Sequence, residues 1–277
     1  MPELALQSHH IVDLYAWVDD TLPKQLSSKG GRPSVLQDAE VITILIWNNL
    51  TVHQRTLKDI YKWTARDHSH NFPKLPTYAQ FNDHALRLLP VMIWLLQSLL
   101  SDRAPLRLMD STGIPVCRKH RAKRNKVAKD IAGWGKNHQD WWFGLKLHAS
   151  IDLEGRLCQL ALTAADVHDA QAMPAILNIY AKVAVGDSTY GASKMRAKIW
   201  KKYKTLVVAP PHYKQKTKLM TNWQRVLLGI RSKVETVFDY LKEHMGLVSS
   251  FPRSVPGLVL HYVAILLAYQ IAMVSVS

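Results

Sequence analysis

Three carboxylates stand out because the residues around each place it on a regular element. Leu106-Arg107-Leu108-Met109-Asp110 alternates as a strand and ends on an aspartate. Lys182-Val183-Ala184-Val185-Gly186-Asp187 is a short buried strand that also ends on an aspartate. Glu235 lies in a stretch of helical period. Leu227, Ile230, Val234, Val237, Phe238 and Leu241 make one apolar stripe, and Arg231, Glu235 and Lys242 a polar stripe beside it. Glu235 is therefore expected half-buried on a rigid helix. Two aspartates at adjacent strand ends repel each other unless a cation sits between them. Their hard oxygens suit Mg²⁺, with Mn²⁺ as a substitute, held by one or two carboxylates together with phosphate. A third carboxylate allows two ions about 3.5–4 Å apart, which clamp the attacking and leaving oxygens of an in-line displacement. Taken singly, the aspartates read as turn or cap residues, and Arg231 with Glu235 as a surface pair worth about 0.3–0.5 kcal/mol. The combination points to metal-assisted phosphoryl transfer, with Asp110, Asp187 and Glu235 as the ligands.

The charge balance says what such a site would act on. The 277 residues hold 36 Lys and Arg against 21 Asp and Glu, a formal charge of +15. That excess favours a polyanion, with nucleic acid first and a membrane surface second. Seven of the twelve residues from Arg118 to Lys129 are basic. Their place between the first two strands makes Arg118, Lys119, Arg121, Lys123 and Arg124 candidate DNA contacts. Lys146 and His148, on one face of the strand Trp142 to Asp152, are candidates as well. Trp134, Trp141 and Trp142 either stack on unpaired bases or pack in the core. Asp166, His168 and Asp169 form another polar group, in which Asp169 is expected to cap a helix. Two cysteines make no disulfide scaffold and fit a reducing, cytoplasmic setting. No secretory signal is visible at the start. The apolar run from Leu258 to Val276 contains His261, Tyr262, Tyr269 and Gln270, and reads as a buried terminal helix rather than a membrane span.

Two domains are expected to position these groups. Residues 1–104 read as helical: Leu4 to Trp17, a helix capped by Asp38, a short one from Thr56 to Trp63, and one capped by Thr77 over Tyr78 to Arg87. The loop from Ser27 to Ser34 separates the first two. With Gln80, Asn82 and Arg87 exposed, this is either a helix-turn-helix reader of DNA ends or a plain helical domain. Residues 105–277 run strand, strand, strand, helix (Asp169 to Tyr180), strand, helix (Met195 to Tyr203), strand (Leu206 to Ala209), helix, helix. That is the order of the α/β ribonuclease-H-like fold, a mixed sheet with helices on both faces. Its first and fourth strands are neighbours, which puts Asp110 beside Asp187.

Several stretches resemble a known family. Leu108-Met109-Asp110-Ser111 is similar to the first-aspartate strand of DDE-type bacterial insertion-sequence transposases. Trp142 to His148 is similar to their "YGFKLH" strand, Asp166-Val167-His168-Asp169 to "NVHD", and Gly186 to Tyr190 to "GDKGY". Arg231, Glu235 and Lys242 match R-(3)-E-(6)-K of the C-terminal signature; the tyrosine that usually opens it is Leu228 here. The resemblance spans nearly the whole chain and is strongest from Leu108 to Lys242. It implies metal-dependent DNA cleavage and strand transfer at the terminal inverted repeats of an insertion sequence, by a homodimer. It also implies that Arg231 and Lys242 hold DNA phosphates rather than pair with Glu235. A metal-dependent nuclease of the same fold, or a transposase-derived protein that only binds DNA, are the alternatives.

Overall fold

The computed structural model describes residues 10–23, 34–136, 140–211, 219–248 and 253–274. The chain forms two compact units, residues 1–99 with 241–277, and residues 100–240. Most of the expected loop from Ser27 to Ser34, and the expected first helical turn before His10, lie outside the described residues.

The second unit holds a six-stranded mixed sheet: β1 (Leu106–Pro115), β2 (Gly133–Lys136), β3 (Trp141–Ile151), β4 (Leu157–Ala164), β5 (Val183–Val185) and β6 (Leu206–Val208). The order is β2-β3-β1-β5-β6, with β4 also paired to β3. β3 is antiparallel to β1, β2 and β4, while β1, β5 and β6 run parallel. This is the ribonuclease-H-like mixed sheet that the element order implied, flanked by helices. β1 is longer than expected. It continues five residues past Asp110 because its antiparallel pairing with β3 reaches Pro115, whereas its pairing with β5 stops at Leu108. β2 was not expected, since two glycines in four residues weaken strand propensity. It is held by the Trp142 ring: a Cβ on Gly135, or on Gly113 of β1, would come within 2.5 Å of that ring.

Alternation along β1 sends neighbouring side chains to opposite faces. Met109 joins Ala184 of β5 and Val207 of β6 in a core with α6 (Asp169–Ile176) and α7 (Ser193–Tyr203), through Ala170, Met173, Ile176 and Ile199. Asp110 faces the other way, where α9 (Ser232–Asp239) packs on β1. The single helix expected around Glu235 is two helices. Gly229 ends α8 (Asn222–Gly229), where glycine costs about 1 kcal/mol relative to alanine, and a turn at Ile230–Arg231 precedes α9. Leu227, Val234, Val237, Phe238 and Leu241 are buried as the stripe requires, but Ile230, at the turn, is exposed.

The other unit contains α1 (Ile11–Thr21), α2 (Asp38–Thr51), α3 (Leu57–Asp67), α4 (Tyr78–Arg87), α5 (Leu89–Leu99) and α10 (Val255–Val274). α10 packs on α2 and α5, and the Gln270 amide donates to the Leu99 carbonyl at 2.7 Å. The terminal helix, assigned from sequence to the domain of residues 105–277, therefore clusters with the N-terminal helices. It is long and apolar enough to cross a membrane, and its residues are core because apolar helices face both sides of it. Thr77 caps α4 in a reciprocal box with Gln80. Gln37, not Asp38, precedes the first turn of α2. Residues 68–77 separate α3 from α4, a connection longer than the three to four residues of a helix-turn-helix.

Candidate active site

Asp110 and Asp187 come together through strand register. Leu108 pairs with Val185 in the parallel β1–β5 ladder. Asp110 lies two residues further along β1 and Asp187 two residues beyond the end of β5, near enough for the charge of Asp187 to raise the Asp110 carboxyl. The Ser111 amide donates to Asp110 Oδ1 at 2.8 Å. Asp187 caps a one-turn 3-10 helix (Ser188–Gly191), accepting from the Thr189 amide at 2.9 Å and from its hydroxyl. Gly186 precedes it because the buried Tyr190 ring lies against it; a Cβ there would meet the ring at 2.6 Å.

Glu235 reaches the same place through an arginine. Arg231 stands just before α9 and donates from Nη1 to Asp110 Oδ2 at 3.1 Å, and from Nη2 to Glu235 Oε1. The side chains of Asp110 and Glu235 are 19% and 47% exposed. Arg231, expected to face DNA instead of pairing with Glu235, bridges two of the three carboxylates. The four-residue spacing aligns it with Glu235 on one side of the helix, and the packing of α9 on β1 brings both to Asp110. Burial pushes the Asp110 carboxyl up to about 6. The Ser111 amide and Arg231 pull it back, while the charges of Asp187 and Glu235 push it further up.

The opposite face of β1 carries a second polar group. Ser111 pairs across the sheet with His148 of β3, and Gly113 with Lys146. Ser111, His148 and Lys146 look toward the start of α6, where Asp169 gathers them. Ser111 Oγ donates to Asp169 Oδ1 at 2.8 Å, Lys146 Nζ donates to it at 3.1 Å, and His148 Nδ1 stands 3.7 Å away. Thr189 Oγ1 approaches Asp169 Oδ2 at 3.4 Å. Burial raises the Asp169 carboxyl, but the Ser111 hydroxyl, Lys146 and His148 outweigh it and hold the group below its ordinary value. His148 is 0% exposed and hydrogen-bonds Thr163 at 2.9 Å. Burial drives its imidazole down to about 4, against the pull of Asp169.

Two expectations change here. His148 and Lys146 are not on the Asp110 face, because the two-residue period sets them opposite Ser111. His148 is fully enclosed, and Lys146 is bonded to Asp169 and to the Val167 carbonyl. Asp169 does not cap α6. His168 does, accepting from the Ala170 amide. Sequence reading missed Asp169, Ser111 and Thr189 as a connected set. The signal was the run of polar residues at alternate positions of a central strand, where burial demands partners.

Arg118, Lys119, Arg121, Lys123 and Arg124 are exposed on and beside a 3-10 turn (Lys119–Arg124), as expected of a surface for a polyanion. Lys119 forms an ion pair with Asp140. Trp142 packs over two glycines, whereas Trp134 and Trp141 keep large exposed surfaces. Lys242 lies on a single π-helical turn (Tyr240–His244) that continues α9.

The donor set suits a divalent cation. Asp110 and Asp187 offer hard oxygens side by side, and Asp110 is destabilised as an anion by burial and by its like-charged neighbours. The guanidinium of Arg231 already answers that negative charge. Among the described residues, no three acidic, histidine or cysteine side chains are gathered closely enough to form a ready metal cage. Arg231 keeps Asp110 and Glu235 apart, so a cation held by all three carboxylates requires this arginine to turn away.

The comparison with curated proteins gave no match. The profile of the "Transposase DDE domain" family matches residues 101–255, which takes in the sheet, both aspartates and Glu235. That match covers more than half of the chain, and the chain belongs to the transposase DDE-domain family.

Proposed function

We propose that the protein cuts DNA strands at the terminal inverted repeats of an insertion sequence and joins them to a target. Asp110, Asp187 and Glu235 hold the divalent metal, Mg²⁺ with Mn²⁺ in substitution. The observation that carries this reading is that Asp110 on β1 senses the charge of Asp187 just past the parallel neighbour β5, with Glu235 tied to Asp110 through Arg231. The metal, when bound, supplies Lewis-acid activation of water or a 3′-hydroxyl and stabilises the departing oxygen. The chain's own groups do the rest. Asp110 and Asp187, set by the pairing of β1 with β5, would place the metal, and through it the reacting phosphate. Arg231 exchanges its carboxylate partners for a phosphate group, two of whose oxygens a guanidinium grips at once. The basic turn from Arg118 to Arg124 holds the strand by charge, and Lys242 contributes a further phosphate contact. The active species is a homodimer in the cytoplasm, one subunit for each end of the element.

The test uses labelled duplexes carrying the element's ends, with Mg²⁺ or Mn²⁺ and a target plasmid. Cut ends joined to the plasmid are expected. Cutting without joining would instead identify a nuclease of the same fold, and binding without cutting a protein that only recognises DNA. Cleavage that survives Asp110→Asn, Asp187→Asn and Glu235→Gln would overturn the metal assignment.

A further inference from the structure

The charge of this protein is concentrated between two of its site carboxylates. Residues 188–234, from just after Asp187 to just before Glu235, hold twelve Lys and Arg and no Asp or Glu. That segment alone accounts for 12 of the formal +15. Half of the twelve lie on α7 or at its C-cap: Lys194, Arg196, Lys198, Lys201, Lys202 and Lys204. All six are exposed, and none has an ion-pair partner among the described residues. In the same unit Lys119, Lys146, Arg156 and Arg231 do have such partners, while Arg118, Arg121, Lys123 and Arg124 of the basic turn share the condition of α7 among the described residues.

The helix is amphipathic in a specific way. Ile199 is fully buried in the core beneath α6 and α7, with Met195 and Tyr203 packed beside it. At about 100° per residue, Lys194, Lys198, Lys201 and Lys202 fall within one arc of roughly 100° that excludes all three of those residues. Four like charges so close repel one another, at a cost of a few tenths of a kcal/mol per helical pair. An acidic residue at any exposed position would relieve that cost, and none is present. Trp200, on the flank that holds Arg196, away from the stripe, is 53% exposed, with Lys204 5.9 Å from the centre of its ring.

We infer that the outer face of α7 is a docking surface for duplex DNA, gripping the phosphate backbone without regard to sequence, and that its occupant is the target duplex. The inference rests on DNA being the substrate, as proposed above. Charge complementarity identifies the partner, and the side-chain types identify the mode. The stripe is all lysine, a flexible point charge, with no Asn, Gln or Arg to read base edges. A surface of that kind suits a target of any sequence and gives no means of selecting the element's ends. α7 also begins six residues after Asp187, so Lys194 starts the stripe close in the chain to the strand that carries the catalytic aspartate.

The experiment measures binding of a random-sequence duplex by fluorescence anisotropy across a salt series. The unmutated full chain is compared with a variant carrying Gln at 194, 198, 201 and 202, and with one carrying Arg at the same positions. The Gln variant is expected to bind at least about tenfold more weakly at low salt. Its plot of log affinity against log salt should flatten by about 0.9 for each phosphate that is no longer neutralised, so by up to about 3.6. The Arg variant should bind as the unmutated chain does. Unchanged affinity and slope in the Gln variant overturn the inference, as does equal weakening in both variants, since charge is then not the cause. If the unmutated chain binds no duplex at all, the DNA reading under Proposed function falls with it, which separates the two failures.

Discussion

The two faces of β1 carry polar groups under opposite conditions. On the α6 face, Asp169 receives a hydroxyl and an ammonium, has a neutral imidazole beside it, and is held ionised below its ordinary value. On the α9 face, Asp110 is almost as enclosed, 19% exposed against 18% for Asp169, yet its carboxyl is pushed up to about 6. Burial raises both carboxyls, and the donors that answer it differ. Asp169 is surrounded by donors, whereas Asp110 has two other carboxylates for neighbours and one guanidinium to share with Glu235. A polar group whose partners are complete stabilises a fold; a cluster short of positive charge is kept for a partner that arrives later. The two groups are joined at the strand ends. Ser111, bonded to Asp169, is the residue after Asp110, and Thr189, which approaches Asp169, also donates to Asp187. The satisfied face can thus hold the unsatisfied one in position.

The contrast breaks most sharply if the Asp110 face is neutralised. Asp110→Asn, Asp187→Asn and Glu235→Gln should each lower single-turnover cleavage on the order of 10³-fold or more, beyond the roughly 10–100-fold that changes to groups supporting metal ligands produce. Each variant should still fold. Asp110→Asn should melt at the same temperature or higher without metal, because it removes a charge that the fold disfavours. A large drop in melting temperature for Asp110→Asn would mean that this face is built for stability after all.

Breaking the other face should reverse the balance between activity and stability. Asp169→Ala leaves Lys146, only 18% exposed, without its carboxylate. It should cost about 3 kcal/mol of stability, the lower end for removing one partner of a buried pair. Cleavage should fall about 10–100-fold as Ser111 and Thr189 go out of alignment. Asp169→Asn keeps an acceptor for Ser111 and should recover part of the rate while remaining less stable. Denaturant midpoints measured beside cleavage rates check both statements. If the Ala variant cuts at the full rate, the network does not position the aspartates.

Much of this was legible in the sequence, and the failures have physical reasons. The alternation from Leu106 to Asp110 and the apolar run from Val183 to Val185 fixed two strands, and the order of elements implied their adjacency. Glu235 was placed on a helix by the buried stripe that includes Val234 and Phe238. The break at Gly229 escaped because one glycine lowers helix stability by only about as much as favourable packing restores. His148 was sent toward the wrong group because period two tells which residues share a face, not which face meets which helix. That choice is made by the packing of α6 and α9. The Arg231 bridge joins residues 121 positions apart, which no local pattern encodes. The terminal helix was recognised as core, but hydrophobicity on every side names no particular neighbour.

The finest test of the contrast is acid titration of the metal-free protein, since the two faces respond with opposite sign. His148 has its folded value lowered from 6.5 to about 4. Its contribution to stability is full above pH 6.5 and is lost as the pH falls toward about 4, because the unfolded chain takes up the proton first. Asp110 has its folded value raised from 3.8 to about 6. Its ionised form is penalised above pH 6, and the penalty is relieved as the pH falls from about 6 to 3.8. In the unmutated protein the two slopes partly cancel between pH 6 and 4. His148→Gln keeps a hydrogen bond to Thr163 within reach and should lose less melting temperature over that interval than the unmutated protein. Asp110→Asn should lose more. The expected differences are a few degrees, given about 2–4 °C per kcal/mol for a chain of this size. Parallel pH profiles for all three proteins would mean that neither group senses its surroundings as this packing requires, and the distinction between the two faces would fail.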